Sequence, residues 1–263
     1  MALTFSIAAF TDKGTVRSTQ QDAVLIGHTL LTDGHIELNG LTEFRCFVAD
    51  GIAKSSDGAF AAQFVLGQLA SVSYTEYEDF LAAIRLINNQ LIVENRQNNN
   101  TSGTTLSGVI CESGRISVVH VGDSEVYLIR QGKLLQLSTN QCETVTDQYR
   151  RAHPGYTLES LYAKARNTLT SYLGGVSNQL TFDRACQTKL DSPIIGGIQA
   201  GDYLLICSDG LFKSMTKTAL RDQIDQHESI FDALAVIRQL TVKLGCEDNL
   251  SMVLVAVEAN CVL

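Results

Sequence analysis

The chain has 263 residues, of which 45% are hydrophobic and 18% are charged. This balance allows a large buried core and excludes global disorder. The formal net charge of −8 argues against a broad nucleic-acid-binding surface, which needs clustered lysine and arginine. It does not exclude phosphorylated substrates, because bound cations can reverse the local field.

Cysteine usage and the first residues bear on the compartment. The chain has 7 cysteines, and their spacing contains no C-x-x-C pair, which favours free thiols in a reducing compartment. Residues 1–13 lack the basic region of a signal peptide, and no apolar run approaches the roughly 18 residues that a membrane span needs. We therefore expect a cytoplasmic monomer that binds neither membrane nor nucleic acid.

Short apolar runs bounded by turn residues predict strands along most of the chain. The predicted strands cover residues 3–10, 44–49, 105–111, 116–121, 125–130, 133–137, 203–207 and 251–257. The pair 125–130 and 133–137 is separated by Gln131-Gly132, which predicts a β-hairpin.

Three segments have helical periodicity. The first covers about 57–69, with Phe60, Phe64 and Val65 on the predicted buried face. The second begins near Thr75, which has capping-box spacing to Glu78. Its predicted buried face consists of Phe80, Ile84, Ile87 and Leu91. The third covers 229–244, with Ser229 as the cap and Gly245 beyond the end.

Residues 140–175 are polar, have only weak helical periodicity and contain His153-Pro154-Gly155. We interpret them as a surface excursion, here called the flap, from a single domain that spans 1–263. Strands that alternate with helices without regular βαβ spacing indicate antiparallel sheets covered by helices, and thus an α+β fold.

Five aspartates lie next to predicted strands. Asp50 and Asp209 each follow a strand and precede a glycine, and Asp123 follows another strand. Asp248 precedes the last strand, and Asp22 precedes the apolar run 23–26. Neighbouring strands lie about 5 Å apart, so carboxylates at the strand ends of one sheet edge would converge and repel one another. A divalent cation removes that penalty, and oxygen-only ligands favour Mg²⁺ or Mn²⁺ over Zn²⁺.

An ordinary structural role is the alternative. Asp-Gly is a common turn dipeptide, and each of these aspartates taken singly is more readily a turn residue than a ligand. The spacing alone leaves both interpretations open.

Seven segments taken in order carry a family resemblance. They are Gly14-Thr15-Val16-Arg17 through Gln21-Asp22, Val48-Ala49-Asp50-Gly51, Ser102-Gly103-Thr104-Thr105, Val121-Gly122-Asp123-Ser124, Leu169-Thr170 to Leu173-Gly174, Cys207-Ser208-Asp209-Gly210-Leu211 and Glu247-Asp248-Asn249. Together they resemble the metal-dependent protein phosphatases of type 2C, the PPM family. The resemblance spans nearly the whole chain.

This resemblance implies a four-layer α-β-β-α sandwich of two antiparallel sheets flanked by helices. It also implies a bimetal centre of Mn²⁺ or Mg²⁺, with a third ion in some bacterial members. Asp50 would bridge two ions, Asp209 and Asp248 would complete the first, and the carbonyl of Gly51 would serve the second.

Three further residues acquire roles from the resemblance. Asp22 would act on the second ion through water, and Asp123 would help to hold the third. Arg17 would bind the substrate phosphate, where a planar guanidinium suits bidentate contact. Without the motif, Arg17 would be interpreted as a solvated surface charge.

The sequence departs from the family pattern in three places. Gln21 stands where relatives often have glutamate, which keeps an acceptor oxygen but loses a charge. Ile52-Ala53-Lys54 replaces a histidine or methionine and two glycines, and the simplest interpretation of Lys54 is an exposed side chain. In the flap, Gln141-Cys142 replaces an Asp-His pair, so the substrate preference is expected to differ.

The implied activity is hydrolysis of phosphoserine or phosphothreonine in proteins by a water molecule that two cations activate. No covalent intermediate is required, and His120 and His153 are not needed. Two alternatives remain. One is a phosphatase fold with weak or no catalysis that serves as a regulatory or binding module, and the other is a phosphohydrolase that acts on small molecules.

Overall fold

The computed structural model describes residues 3–52, 57–73, 77–112, 115–175, 180, 187–189 and 197–259. The strands are β1 Leu3–Asp12, β2 Ala23–Ile26, β3 Thr29–Leu31, β4 Gly34–Leu41, β5 Phe44–Ala49, β6 Gly51–Ile52, β7 Gly103–Thr104, β8 Leu106–Glu112, β9 Arg115–Val121, β10 Glu125–Arg130, β11 Lys133–Gln136, β12 Gln187–Lys189, β13 Tyr203–Cys207 and β14 Leu250–Ala259. The helices are α1 Gly58–Ala70, α2 Tyr77–Gln97, α3 Asp147–Ala152, α4 Leu158–Arg166, α5 Gly210–Ser214, α6 Lys217–Gln226 and α7 Ile230–Lys243.

Two six-stranded antiparallel sheets form the centre of the molecule. The first sheet has the order β11-β10-β13-β14-β1-β4, and the second has the order β12-β9-β8-β5-β2-β3. The short strands β6 and β7 pair separately, next to the end of β5. The predicted hairpin is confirmed, because β10 and β11 pair antiparallel across Gln131 and Gly132.

Alternation along the strands builds three apolar layers. On β1, Ile7 and Ala9 lie in the cluster between the two sheets, whereas Ala8 and Phe10 face α5, α6 and α7. Helices α1 and α2 pack on the outer face of the second sheet, where the ring of Phe47 stacks on a phenylalanine ring of α2. A strand that alternates apolar residues on both faces needs cover on both faces. The structure therefore confirms the α-β-β-α layering.

The second and third predicted helices are confirmed. Helix α2 buries the four predicted residues, Phe80, Ile84, Ile87 and Leu91. Ser229 caps α7 by accepting a hydrogen bond from the backbone amide of Phe231, and Gly245 beyond the end has a φ of 79°. The predicted cap Thr75 lies outside the described residues. In the described part of the chain, no helix is both long and apolar enough to cross a bilayer.

The predicted apolar face of α1 accounts for only part of what the helix buries. Val65 is buried, but Phe60 and Phe64 are only partly buried and contact each other. The residues that α1 buries are Gly58, Ala61, Ala62, Val65, Leu66 and Leu69. Small side chains allow the helix to approach the sheet closely, and the two rings then fill the flank of the interface.

The flap contains more helix than its weak periodicity indicated. Helices α3 and α4 lie in it, capped by the hydroxyls of Thr146 and Thr157. Only Leu161 and Ala165 of these helices are buried, so the apolar signal is short. An isolated antiparallel β-bridge between Cys142 and Leu169 joins the two sides of the flap at its base.

Candidate metal centre

Strand pairing brings the predicted acidic residues to one edge of the two sheets. Ala23 pairs with Ala49, so Asp22 before β2 lies opposite Asp50 after β5. In the other sheet, Ser208 after β13 donates its backbone amide to the carbonyl of Ser251 on β14. Asp209 thus emerges beside the segment that precedes β14.

Asp22 is the most deeply buried of these carboxylates, with a relative exposure of 1%. Its Oδ2 accepts a hydrogen bond of 2.7 Å from the hydroxyl of Ser208. Its Oδ1 is buried and has no hydrogen-bond partner among the described residues. An unpartnered buried carboxylate oxygen is costly, so this atom requires a proton or a cation.

Burial and mutual repulsion make the acids hard to ionise. Burial, with a smaller contribution from the charge of Asp209, raises the pKa of Asp22 from 3.8 to about 7, although the bond from Ser208 opposes this. The pKa of Asp50 lies well above its usual value, first because it is buried and then because of Asp22, Asp209 and Asp123. Burial and the charge of Asp209 likewise raise the pKa of Asp123 to about 7.

The third motif segment holds the backbone of Asp50 and contacts the fourth. Its amide donates to the hydroxyl of Thr105 at 3.0 Å, and its carbonyl accepts from the hydroxyl of Thr104 at 3.0 Å. The hydroxyl of Thr105 lies 2.7 Å from that of Ser124 in the neighbouring motif. These bonds fix the end of β5 from which the carboxylate projects.

Two glycines are required here by close backbone approach. A Cβ on Gly51 would lie 2.3 Å from the carbonyl oxygen of Gly58. A Cβ on Gly210 would lie 1.9 Å from the carbonyl oxygen of Asn249. Neither distance can accommodate a side chain, so these glycines allow the two acidic turns to sit against their neighbours.

Asp209 and Asp248 are engaged by two basic side chains. The ammonium of Lys213 contacts the carboxylate of Asp209, four residues earlier, and lies 2.7 Å from Oδ2 of Asp248. Nε of Arg17 lies 2.8 Å from Oδ1 of Asp248. Burial alone would raise the pKa of Asp248, but the bonds from Lys213 and Arg17 outweigh it and lower that pKa.

Asn249 organises the loop that carries Arg17. Its side-chain amide donates to the carbonyls of Lys13 and Thr19, each at 2.9 Å. Its side-chain oxygen accepts from the backbone amide of Gln21 at 2.9 Å. The loop between β1 and β2 is therefore tied to the start of β14, which places Arg17 beside Asp248.

Asp123 lies at the base of the flap. The thiol of Cys142 is 3.9 Å from Oδ2 of Asp123. Gln141 connects the flap to the preceding turn, because its side-chain oxygen accepts from the amide of Gly122 and its own amide donates to the carbonyl of Gly122. The flap position at which the sequence departs from relatives thus contacts the acidic edge directly.

The donor set fits a hard divalent cation. It consists of carboxylate and carbonyl oxygens, which Mg²⁺ and Mn²⁺ prefer. The unpartnered Oδ1 of Asp22 and the raised pKa of Asp50 are the properties of carboxylates that need positive charge. As the side chains stand, no three Asp, Glu, His or Cys residues in the described part of the chain are arranged to hold an ion. Lys213 contacts two of these acids, Asp209 and Asp248.

The structure brings every predicted site residue to the same edge, and it adds partners that the sequence argument missed. Those partners are Ser208, Lys213 and Asn249. The position of Lys213, four residues after Asp209 on a helix, was available as a signal, because residues at this spacing share a helix face.

Three further sequence predictions concern His120, Lys54 and Gln21. His120 is a packed strand residue, fully buried and bonded to Ser107, as expected. Lys54 lies outside the described residues. Gln21 adjoins the centre, since its carbonyl accepts from the amide of Gly51 at 3.2 Å.

Comparisons with known proteins place the chain among phosphatases. The profile of the family described as Protein phosphatase 2C matches residues 20–244. The serine/threonine protein phosphatase PstP of Mycobacterium tuberculosis is 28% identical over 268 residues, which cover 96% of this chain and 45% of that protein. The chain thus spans 45% of the length of this relative.

Two other likenesses cover the compared chains almost completely. The serine/threonine phosphatase stp of Listeria welshimeri is 24% identical over 93% of each protein. The solved catalytic domain of PstP in complex with 2 manganese ions matches with a TM-score of 0.71 at 23% identity, covering 98% of this chain and 100% of that one. The structural likeness establishes the fold.

Proposed function

Because this chain belongs to the protein phosphatase 2C family, we propose that it hydrolyses phosphoserine and phosphothreonine in proteins with the help of divalent cations. The observation that carries the proposal is the meeting of Asp22, Asp50, Asp209 and Asp248 at one edge of the two sheets, with Arg17 beside them. A set of mutually repelling carboxylates has no use in a stable core, and it is suited to binding cations.

We propose specific roles for the acids. Asp50, Asp209, Asp248 and the carbonyl of Gly51 would hold two Mn²⁺ or Mg²⁺ ions. Asp22 would act on the second ion through water, with its unpartnered Oδ1 directed to that task. Asp123 would help to hold a third ion. The manganese in the PstP structure supports the choice of metal.

The bound ions would supply an activated water molecule and would neutralise the charge of the transferred phosphoryl group. The task of Arg17 is to bind and orient the substrate phosphate. Only its Nε is engaged by Asp248, its side chain is 54% exposed, and it makes no other hydrogen bond to the described residues. The two terminal nitrogens thus remain available for bidentate phosphate contact.

The proposal is tested by phosphate release from a phosphothreonine peptide with Mn²⁺, with and without a chelator. Asp209→Asn is expected to lower kcat/KM by about 100-fold or more, since it removes a charge that the ions require. Asp225→Asn is the matched control, because its exposed carboxylate lies on α6. Full activity in a folded Asp209→Asn variant contradicts the proposal.

The same assay separates the alternatives. A folded wild-type protein that binds no Mn²⁺ in calorimetry and releases no phosphate would be a regulatory or binding module. Preference for a small aryl or sugar phosphate over the phosphopeptide would indicate a small-molecule phosphohydrolase. The family membership and the named activities of the relatives favour the protein phosphatase.

We further propose a cytoplasmic, monomeric protein. Free cysteines in the described residues support a reducing compartment, since Cys46, Cys111, Cys207 and Cys246 are buried without forming disulfides. Sedimentation at several concentrations tests the monomer.

A further inference from the structure

Lys213 lies where a cation would be expected. Its ammonium contacts the carboxylates of Asp209 and Asp248 at once, and these are two of the residues proposed to hold the first metal ion. Lys213 lies four residues after Asp209, and its side chain reaches from the end of β13 to the segment that precedes β14. One positive charge thus joins the same pair of carboxylates that a divalent cation would join.

Asp248 accepts three hydrogen bonds. Its Oδ1 accepts from Nε of Arg17 at 2.8 Å and from the backbone amide of Asn249 at 3.0 Å. Its Oδ2 accepts from Lys213 at 2.7 Å. A divalent cation placed between Asp209 and Asp248 would meet the ammonium of Lys213, so the two positive charges compete for the same carboxylates.

Lys213 is the donor that contacts both acids and that can leave without a movement of the backbone. Its side chain is 44% exposed, so its ammonium can move into solvent on a flexible four-carbon stem. The backbone amide of Asn249 cannot move without the loop, and Arg17 contacts only one oxygen of one acid. Because the lysine side chain is partly exposed, its charge can be solvated when it leaves the carboxylates, which makes the exchange of Lys213 for a divalent cation feasible.

We propose that Lys213 is an intramolecular competitor for the divalent cation, and that it sets the affinity of the site formed by Asp209 and Asp248. This inference rests on the proposed metal-dependent function and concerns the control of that site. A protein in which the ammonium occupies the carboxylates most of the time binds metal with an apparent affinity reduced by the fraction of molecules in which the site is free.

The competition also gives Lys213 a function in the absence of metal. Its charge offsets the repulsion between two carboxylates, one of which follows β13 while the other precedes β14. Removing the charge should weaken the metal-free fold and strengthen metal binding, and these two effects have opposite signs. A residue with a purely structural role would not improve metal binding when it is removed.

The test compares Lys213→Met, Lys213→Gln and Lys213→Arg with the wild type. Mn²⁺ binding is measured by calorimetry and by the electron paramagnetic resonance signal of free Mn²⁺, neither of which depends on turnover. Lys213→Met and Lys213→Gln are expected to lower the Kd for Mn²⁺ by about tenfold, and Lys213→Arg to leave it near the wild-type value. Lys133→Met, on the exposed face of β11, is the control and should change nothing.

Thermal unfolding provides the second measurement. In chelator, both neutral variants are expected to melt below the wild type, and saturating Mn²⁺ should remove the difference. If Lys213→Met does not fold without metal, Lys213→Gln retains a donor for the carboxylates and carries the comparison.

The outcomes separate this inference from the proposed function. A wild-type protein that binds Mn²⁺ with the same Kd as both neutral variants, or more tightly than they do, overturns the competition and leaves the phosphatase proposal in place. Failure of the wild type and of both neutral variants to bind Mn²⁺ overturns both. Binding in the neutral variants alone supports the competition in its strongest form.

Discussion

At the scale of single residues, the centre shows how burial and charge work against each other. Asp22 is buried with one oxygen bonded to Ser208 and the other without a partner. Asp248 lies nearer the surface and is neutralised by Arg17 and Lys213. The same residue type thus has a raised pKa at one position and a lowered pKa at the other. The cause is the environment rather than the side chain.

The raised pKa of Asp22 predicts a pH-dependent stability. Its pKa is 3.8 when unperturbed and about 7 in the folded protein, so between these values the folded state holds a proton that the unfolded state has lost. The free energy of unfolding of the metal-free protein should therefore fall as the pH rises from about 4 to about 7.

Asp22→Asn should make this fall smaller, because the group no longer titrates. Melting temperatures in chelator across this pH range, compared with those of Asp225→Asn, measure the effect. Identical slopes for the wild type and for Asp22→Asn would show that Asp22 ionises normally.

The reactivity of the Cys142 thiol provides an independent measure of the negative charge at the acidic edge. Burial, followed by the charges of Asp123 and Asp209, raises the pKa of its thiol to about 12. Alkylation by iodoacetamide at pH 8, followed for each cysteine by mass spectrometry, should be slow at Cys142. Asp123→Asn should accelerate it, because one of the charges that oppose the thiolate is removed. An unchanged rate would place Asp123 too far away to act.

The acids that meet at the sheet edge could be located from the sequence, whereas most of the contacts that support them could not. Motif order identified Asp50, Asp209 and Asp248, because each has its own strand-end pattern. Lys213 could have been found from its spacing to Asp209, but its contact with Asp248 forms only when the fold brings distant segments together. A partner 35 or more positions away leaves no trace in local spacing, as with Lys213 and Asp248.

At the scale of elements, the β10–β11 hairpin shows a match between turn residues and backbone. Gln131 has a φ of 51° and Gly132 a φ of 69°. Two successive positive φ values are the requirement of a type I′ turn, in which the twist matches that of the paired strands. The glycine adopts this conformation without strain, whereas the glutamine does so at a cost.

A pair of glycine substitutions tests that cost. Gly132→Ala should lower the free energy of unfolding by about 1–2 kcal/mol, since an L-residue is strained at positive φ. The added Cβ would meet its nearest neighbour, Arg221, only at 3.5 Å, so the penalty is conformational rather than steric. Gly67→Ala, exposed in the middle of α1, should raise it by about 0.5–1 kcal/mol. Denaturant titration measures both, and equal signs would contradict the argument.

Central strands and long amphipathic helices could be predicted, whereas edge elements could not. Strand β13 was predicted to the residue, because its apolar run is bounded by turn residues. Strand β4 was missed because it lies at a sheet edge and is only partly buried, so its apolar residues alternate with polar ones and form no continuous apolar run. Helix α6 buries only Leu220 and Ile224, which is too few apolar residues for a clear period.

At the scale of the whole molecule, most central strands contribute to two of the three apolar layers. Strand β13 places Ile206 between the sheets and Leu205 against the helices. Loss of one layer would therefore expose a face of a strand that also supports the next layer. We propose on this basis that residues 1–263 form one cooperative domain.

Cavity-forming substitutions in the three layers test this cooperativity. One variant in each layer removes a fully buried side chain: Ile206→Ala between the sheets, Leu91→Ala on α2 and Ile237→Ala on α7. Each should lower the free energy of unfolding by about 2–5 kcal/mol. All three should shift one common transition in calorimetry. Leu86→Ala, at a side chain that is 59% exposed, is the control, and separate transitions would indicate independent units.

The origin of the acids in both sheets has a mechanical consequence. Asp22 and Asp50 flank strands of one sheet, and Asp209 and Asp248 flank strands of the other. Ions bound by these groups would cross-link the two sheets at their common edge. The melting temperature should then climb with metal concentration, by the equivalent of about 2.7 kcal/mol at 100 times the Kd. Any repacking that shifts one sheet relative to the other would therefore weaken metal binding from a distance.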